Sequence, residues 1–317
     1  MNRKDEHIIY AKEDAVDKND FDDIKLNHVS IPNFNYQDVD LKTSFLGYDV
    51  DYPIYINAMT GGSELAKRIN KKLALYAKTF NLPMVIGSQS MALKHPEYED
   101  TYQVVRKINP DGIIIANVSA NASVDEALKA IEMINANGIS IHVNLIQELV
   151  MNEGDREFIH WLNNIKAINT KVNKPVIVKE VGFGMSKETI LNLNKNGIKY
   201  IDISGKGGTN FARIERKRNQ NDDVTFEHIG ISTVQSLLNA KEVNVNVYAS
   251  GGIRNALDVF KALFLGAKAV GLSKYFLSLT DLDDQSAFDK INELIDNLKK
   301  CFVIFGVKNL NDLENII

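Results

Sequence analysis

The segment His142-Val143-Asn144-Leu145-Ile146-Gln147-Glu148 gathers an imidazole, two carboxamides and a carboxylate in a short span. Such a set can orient a polar substrate by hydrogen bonds and offer one anionic oxygen to a cation. One carboxylate is a poor metal cage, but it is adequate for Mg²⁺ that keeps waters and also binds phosphate oxygens. The plainer readings are a hydrogen-bonded core histidine for His142 and a helix cap or surface residue for Glu148. A second signal lies in Gly251-Gly252-Ile253-Arg254 and Gly271-Leu272-Ser273-Lys274. Glycines let backbone N–H groups approach an anion, and the helix that follows adds favourable partial charge. Together they predict a phosphate site.

These groups need elements to position them. Eight short apolar runs recur along the chain: 54–58, 84–87, 113–117, 140–144, 176–180, 200–204, 245–250 and 269–273. Most end in Gly or a polar residue, and amphipathic stretches lie between them. The rhythm predicts an α/β fold, a single (β/α)8 barrel from residue 51 to 317, whose chemistry sits where strands hand over to helices. Ser123 with Glu126 is a capping box, and Ser186 a second helix start. Side chains alternate across a strand. Ile139, Ile141 and Val143 therefore face the outer helices, and Ser140, His142 and Asn144 face the interior. Asn117 shares the inward face with Ile113 and Ile115, as Lys179 does with Ile177. A lysine there wants a fixed anion, either a ligand phosphate or a neighbouring carboxylate such as Glu180 or Asp202.

Residues 1–50 break the rhythm. They predict a helix and extended segments packed on the barrel, with a partly disordered tail as the alternative. If this arm folds over the mouth, Arg3 and Lys4 meet whatever anion lies there. Two long connections, 145–155 and 205–229, follow the fourth and sixth runs. Long strand-end loops usually cover a site, although the charged stretch Arg213–Asp223 also suits a solvated excursion.

The chain has 317 residues, 44% hydrophobic and 25% charged, with a net charge of −4. That balance gives no reason to expect a nucleic-acid or membrane partner. One cysteine, Cys301, excludes an internal disulfide and suits a reducing cytoplasm. No apolar stretch is long enough to cross a bilayer, and the charged start at Met1–His7 is unlike a secretory signal.

A phosphate at the late glycines, with Lys179 and Thr209 near, suits FMN. Ala58-Met59-Thr60-Gly61-Gly62 would then lie against the flat ring, with Ser88 and Asn117 at its edges. Composition alone does not separate a flavin from another phosphorylated ligand. Taken together, however, the motifs resemble the type II isopentenyl-diphosphate isomerases, FMN-dependent β/α barrels. The likeness runs from Arg3-Lys4-Asp5-Glu6-His7 through Met59-Thr60-Gly61-Gly62, Gly87-Ser88-Gln89 and His142-x-Asn144-x-x-Gln147-Glu148. It continues through Val178–Gly184, Gly207-Gly208-Thr209 and Ala249–Gly252 to about Phe276.

The resemblance implies FMN contacts from Ala58, Met59, Thr60, Ser88, Asn117, Lys179, Ser204, Thr209, Gly251, Gly252, Ser273 and Lys274. It implies a substrate frame of Arg3, Lys4, His7, Ser88, Gln89 and Gln147. His142, Asn144, Gln147 and Glu215 are the catalytic candidates, and Glu148 holds Mg²⁺. Many members carry Arg where this chain has Ser90 and Trp where it has Phe211. The implied reaction interconverts isopentenyl and dimethylallyl diphosphate using reduced FMN, with NADPH as reductant, in a cytoplasmic homotetramer or larger assembly. The main rival is a flavin oxidoreductase of the 2-hydroxy-acid oxidase or IMP dehydrogenase kind. The former lacks a convincing His partner for Arg254, and the latter a loop cysteine. A non-enzymatic phosphate-binding barrel is the other reading, which leaves the His142–Glu148 cluster unused.

Overall fold

In the computed structural model, residues 3–14 and 19–315 are described. Helix α1 (Arg3–Glu13) opens the chain, and an antiparallel hairpin of β1 (Thr43–Phe45) and β2 (Tyr48–Val50) precedes the barrel. Eight parallel strands then close on themselves in chain order. They are β3 (Ile54–Ile56), β4 (Met84–Val85), β5 (Ile114–Ser119), β6 (Gly138–Val143), β7 (Val176–Glu180), β8 (Tyr200–Asp202), β9 (Asn246–Ser250) and β10 (Ala269–Leu272). Each apolar run of the sequence supplies one strand, and β10 closes the ring by pairing with β3.

The connections alternate in a regular way. β3, β5, β7 and β9 are followed by one helix each: α2 (Glu64–Thr79), α5 (Val124–Met133), α8 (Lys187–Lys195) and α11 (Ala256–Phe264). The even strands carry an extra short helix before the longer one. These pairs are α3 (Ser90–Lys94) and α4 (Asp100–Ile108), α6 (Leu145–Val150) and α7 (Trp161–Lys171), α9 (Phe211–Arg218) and α10 (Thr233–Ala240), and α12 (Lys274–Leu279) and α13 (Asp284–Ile304). Ser123 accepts from the Glu126 N–H while Glu126 returns to the Ser123 N–H, so the capping box forms. Ser186 caps α8 through the Thr189 N–H.

The period-2 alternation divides the core in two. Ile114, Ala116, Val118, Ile139, Ile141, Val178 and Ile201 face the helix layer. Tyr55, Val85, Ile115, Ile177, Tyr248 and Ala269 point inward and meet Phe45, Leu46 and Val50 of the hairpin. Phe45 lies 4.8 Å from Tyr55 and 5.0 Å from Tyr248, ring centre to ring centre, and the Leu46 N–H donates to the Tyr248 hydroxyl. The hairpin thus plugs the floor, leaving the open end for chemistry.

The leading segment also reaches the open end. α1 packs against α2, α9 and α12. Asn19 Nδ2 donates to Gly252 O, Lys261 Nζ donates to Phe21 O, and Asp22 pairs with Arg254 at 2.5 Å. The long connections are not open loops: α6 and α9 pack together across the mouth. Nor is the charge run of α9 a solvated excursion. Arg213 pairs with Asp14, Arg216 with Glu227, and Arg218 with Glu6 and Glu153. The sequence hides this order because each partner lies on another element.

Candidate active site

The strand ends enclose a cavity of about 1100 Å³. Its walls include Ala58, Met59 and Thr60 after β3, Ser88 after β4, Asn117 from β5 and His142 from β6. Asn144, Gln147 and Glu148 follow on α6, and Lys179, Ser204 and Thr209 come from the β7 and β8 ends. Gly251, Gly252, Ser273 and Lys274 complete it after β9 and β10, while Lys4 and His7 of α1 enter from the arm. The side chain of Arg3 lies outside the described residues.

At the β9 end the wall is backbone. Gly251 and Gly252 sit at φ +89° and +75°, where a side chain is strained. A Cβ on Gly251 would stand 2.1 Å from Gly205 O, and one on Gly208 would stand 2.7 Å from Gly252 N. This close stacking of glycine backbone forms a cradle that an anion can approach. Across the cavity, Thr60 Oγ1 is buried without a partner. A buried hydroxyl left unpaired on a cavity wall fits a ligand that supplies the missing hydrogen bond. Cradle and orphan hydroxyl together fit a flat ring with a phosphate tail. Lys274 borders the cavity at this end, and its ammonium also donates to Asp14 O of the arm.

Of the two carboxylates expected beside Lys179, the ammonium approaches that of Asp202, and it reaches Glu180 only through the backbone carbonyl. Lys179 Nζ donates to Glu180 O at 2.5 Å and to Ser204 Oγ at 3.2 Å, lies 3.9 Å from Asp202, and still borders the cavity. The neighbouring Glu180 accepts from the Gly182 and Phe183 N–H groups, yet burial pushes its carboxyl up to about 7.

The β6 end is built from side chains. Asn117 Nδ2 donates to Ile86 O, so its Oδ1 faces His142 Nδ1 at 3.0 Å. That oxygen can only accept; Nδ1 therefore carries the imidazole proton and Nε2 is left as an acceptor. Burial, reinforced by the charges of Lys4 and Lys179, lowers His142 to about 3. The ring is neutral near pH 7, so what it offers to the cavity is a hydrogen bond and not a charge. Glu148 accepts from Asn144 Nδ2 at 2.7 Å and from the Asp155 N–H at 2.8 Å, one on each oxygen. Lone pairs remain on both oxygens for a cation. No group of three or more His, Cys, Asp or Glu side chains converges as a metal cage among the described residues. The donor set therefore fits a hydrated Mg²⁺ shared with a ligand's oxygens, and does not fit a metal held by protein alone.

Two expected site residues stand away from the cavity. Gln89 is fully buried, donates to Ala130 O and accepts from the Asn117 N–H, so it braces β5 against α5 instead of meeting a ligand. Glu215 lies behind the wall, accepting from His7 Nε2 at 2.8 Å, from Gln147 Nε2 at 3.1 Å and from Arg218. Burial alone would raise its carboxyl; the hydrogen bonds from His7 and Gln147 and the Arg218 charge outweigh it and hold it low. Glu215 positions two wall residues and is not itself exposed to a ligand. Ser90 bonds Ser88 at 3.0 Å and lines the wall without charge. Phe211 packs edge-on to His7. Sequence reasoning missed Asn19 and Asp22, whose roles depend on an arm path that no local pattern encodes. Among buried groups it weighed Asp202 only as a lysine partner, and it passed over Tyr55, Asn57 and Ser250, which surround that carboxylate.

A closed barrel with a glycine anion cradle at the β9 end defines a class, and comparison with known proteins agrees. The FMN-dependent dehydrogenase family matches residues 123–317. Among solved structures, a flavocytochrome b2 variant with sulfite bound superposes with a TM-score of 0.72 at 18% identity, over 98% of this chain and 82% of that one. A mandelate oxidase variant with 2-hydroxy-phenylacetamide gives 0.64 at 14% identity, over 98% and 89%. These likenesses establish the fold. Isopentenyl-diphosphate delta-isomerases of Staphylococcus aureus strains JH9 and Newman are each 46% identical, over 98% of this chain and 90% of theirs. The chain belongs to the FMN-dependent isopentenyl-diphosphate delta-isomerases, and is an isomerase that uses FMN.

Proposed function

We propose that the chain interconverts isopentenyl and dimethylallyl diphosphate by moving a proton on and off a five-carbon allylic skeleton, with reduced FMN and Mg²⁺. The observation that carries this reading is the opposition, within one cavity, of the glycine cradle at Gly251–Gly252 and the side-chain cluster His142–Glu148.

Gly208, Gly251, Gly252 and Ser273 would hold the flavin phosphate, with Thr60, Ser88, Asn117, Lys179 and Ser204 around the ring. When bound, reduced FMN supplies a proton carrier that no side chain of the wall provides. The chain's own residues do the rest. Lys4 places positive charge at the ligand end, close enough to depress His142. His7 and Gln147 are fixed by Glu215, so they meet the substrate without first being ordered. Glu148, steadied by Asn144 and the Asp155 N–H, would anchor Mg²⁺ against diphosphate oxygens. Neutral His142 accepts or relays a hydrogen bond. α1, α6 and α9 surround this end and limit water, which an alkene needs if so weak a base is to be protonated. We further propose a cytoplasmic enzyme, NADPH as the reductant, and a homotetramer or larger assembly. No described helix is long and apolar enough to cross a membrane.

The test is an anaerobic isomerase assay of the FMN-loaded protein. Turnover with reduced flavin and Mg²⁺, and none with oxidised flavin, is expected. Absence of turnover under reduced conditions, or net oxidation of a 2-hydroxy acid, would overturn the reading.

A further inference from the structure

Directly under the cavity, at the end of β8, Asp202 is buried with no exposed surface. Its inward aim follows from alternation: Ile201 faces the helix layer, while Tyr200 and Asp202 face the interior. Oδ1 accepts from the Ser204 N–H at 3.1 Å and from Ser250 Oγ at 2.7 Å. Oδ2 accepts from the Tyr55 hydroxyl at 2.7 Å and from Asn57 Nδ2 at 2.9 Å. Each oxygen is satisfied twice, by four donors from three separate segments: the β3 end, the β8 end and β9. Such a carboxylate is fixed in place and does not reach the cavity wall, so it is neither an acid nor a base for a ligand.

What it touches next is Lys179. β7 and β8 pair Lys179 directly with Asp202, and Nζ lies 3.9 Å from Oδ2. Asp202 acts on the lysine by a second route. Its bond to the Ser204 N–H holds Ser204 at φ +26°, a conformation L side chains rarely adopt, and Ser204 Oγ then accepts from Nζ. Nζ has three N–H groups; two go to Glu180 O and Ser204 Oγ, and the third is available to the cavity that Lys179 borders. A buried ion pair adds little to stability over apolar packing at the same place. Its consequence here is geometric: one ammonium N–H is held at the cavity floor.

We propose that Asp202 is a positioning residue for flavin chemistry, which fixes the Lys179 ammonium against the flavin and so favours the reduced, electron-rich form. This rests on the reading that the flavin lies over Lys179. The sign of the effect separates this role from a direct one. An anion acting straight on the flavin opposes reduction, so its loss would make reduction easier. An anion acting through the lysine supports reduction, so its loss would make it harder.

The experiment measures FMN affinity in both oxidation states, and the flavin midpoint potential, for the FMN-loaded protein. Asp202→Asn is expected to lower the reduced-over-oxidised affinity ratio about tenfold, ~30 mV more negative for a two-electron couple. In a Lys179→Met background the same change should add less than about twofold. An upward shift, or a full effect on top of Lys179→Met, overturns the proposal. Should Asp202→Asn fail to fold, Tyr55→Phe with Ser250→Ala loosens the carboxylate while keeping its charge. A shift of the same sign, about two- to threefold, is then expected, and none at all overturns it. If Lys179→Met itself leaves both affinity and potential unchanged, the flavin is not over Lys179. The proposal then falls with that placement, by a result distinct from an Asp202→Asn failure.

Discussion

The two ends of the mouth are made of different materials. At the β9 end, Gly205, Gly208, Gly251 and Gly252 press backbone against backbone, with Asn19 and Asp22 of the arm tied to the same loop. At the β6 end the wall is side chains held by side chains: Asn117 on His142, Asn144 on Glu148, Glu215 on His7 and Gln147. A backbone cradle recognises an anion through geometry that any glycine-rich turn can form, so it specifies a cofactor class. A side-chain wall depends on identity, so it specifies the reaction. The barrel is shared with flavocytochrome b2 and mandelate oxidase at under 20% identity, whereas the 46% identical relatives carry the isomerase name.

Breaking the backbone end should produce the largest effect. In Gly251→Ala a Cβ would meet Gly205 O at 2.1 Å with φ at +89°, and neither atom belongs to a flexible side chain. FMN affinity is expected to fall by about 100-fold or more, measured by quenching of flavin fluorescence, with isomerisation lost in step. Retained affinity would mean that the cradle is not where the phosphate binds. At the other end, Glu148→Gln removes the charge and leaves one acceptor oxygen for the two donors, Asn144 Nδ2 and the Asp155 N–H. Turnover should fall about 10- to 100-fold with a raised Mg²⁺ requirement, and FMN affinity should stay within about twofold of the parent. A variant that loses flavin and keeps its metal response would reverse the assignment of the two ends.

The two ends were also legible to different degrees. Strand order, the inward aim of His142, Asn144 and Lys179, and the glycine loops followed from period-2 alternation and from glycine chemistry, both local properties of the chain. Gln147 and Glu148 border the mouth because α6 forms, which strand alternation does not foresee and nothing in 145–155 announces. The errors came from contacts between distant segments. Gln89 reads as a polar residue at a strand end, but its amide is consumed by Ala130 O and the Asn117 N–H. Glu215, a catalytic candidate by resemblance, stands one residue behind the cavity wall, because α9 packs on α1 and α6. Lys274 borders the cavity as expected of an FMN contact, and its tie to Asp14 O is the part that only the path of the arm reveals.

Glu215 offers a sharper test of the side-chain end, because it acts only through neighbours. Glu215→Gln leaves an acceptor for His7 and Gln147 but weakens the tie to Arg218. We expect kcat to fall about tenfold, with FMN affinity and thermal stability nearly unchanged. An equal loss of flavin would show that the two ends are not independent.

The smallest effect concerns stability alone, at the boundary between the two ends. Glu180 is buried beside Lys179, and its carboxyl is raised from an ordinary 4.5 to about 7. The folded chain therefore holds this proton over a range where the unfolded chain has released it. Where the native state binds more protons, stability falls as pH rises. The stabilisation attached to Glu180 is thus complete below pH about 4.5 and is lost progressively as pH climbs through about 7. The span corresponds to about 3 kcal/mol at most. Glu180→Gln retains an acceptor for the Gly182 and Phe183 N–H groups and cannot ionise. Chemical denaturation at pH 5, 6 and 7 should show the parent losing stability across the series relative to the variant, with the two converging at the acid end. A constant difference across those pH values would mean that Glu180 is ionised throughout, with the N–H donors of residues 181–183 and Lys179 outweighing burial.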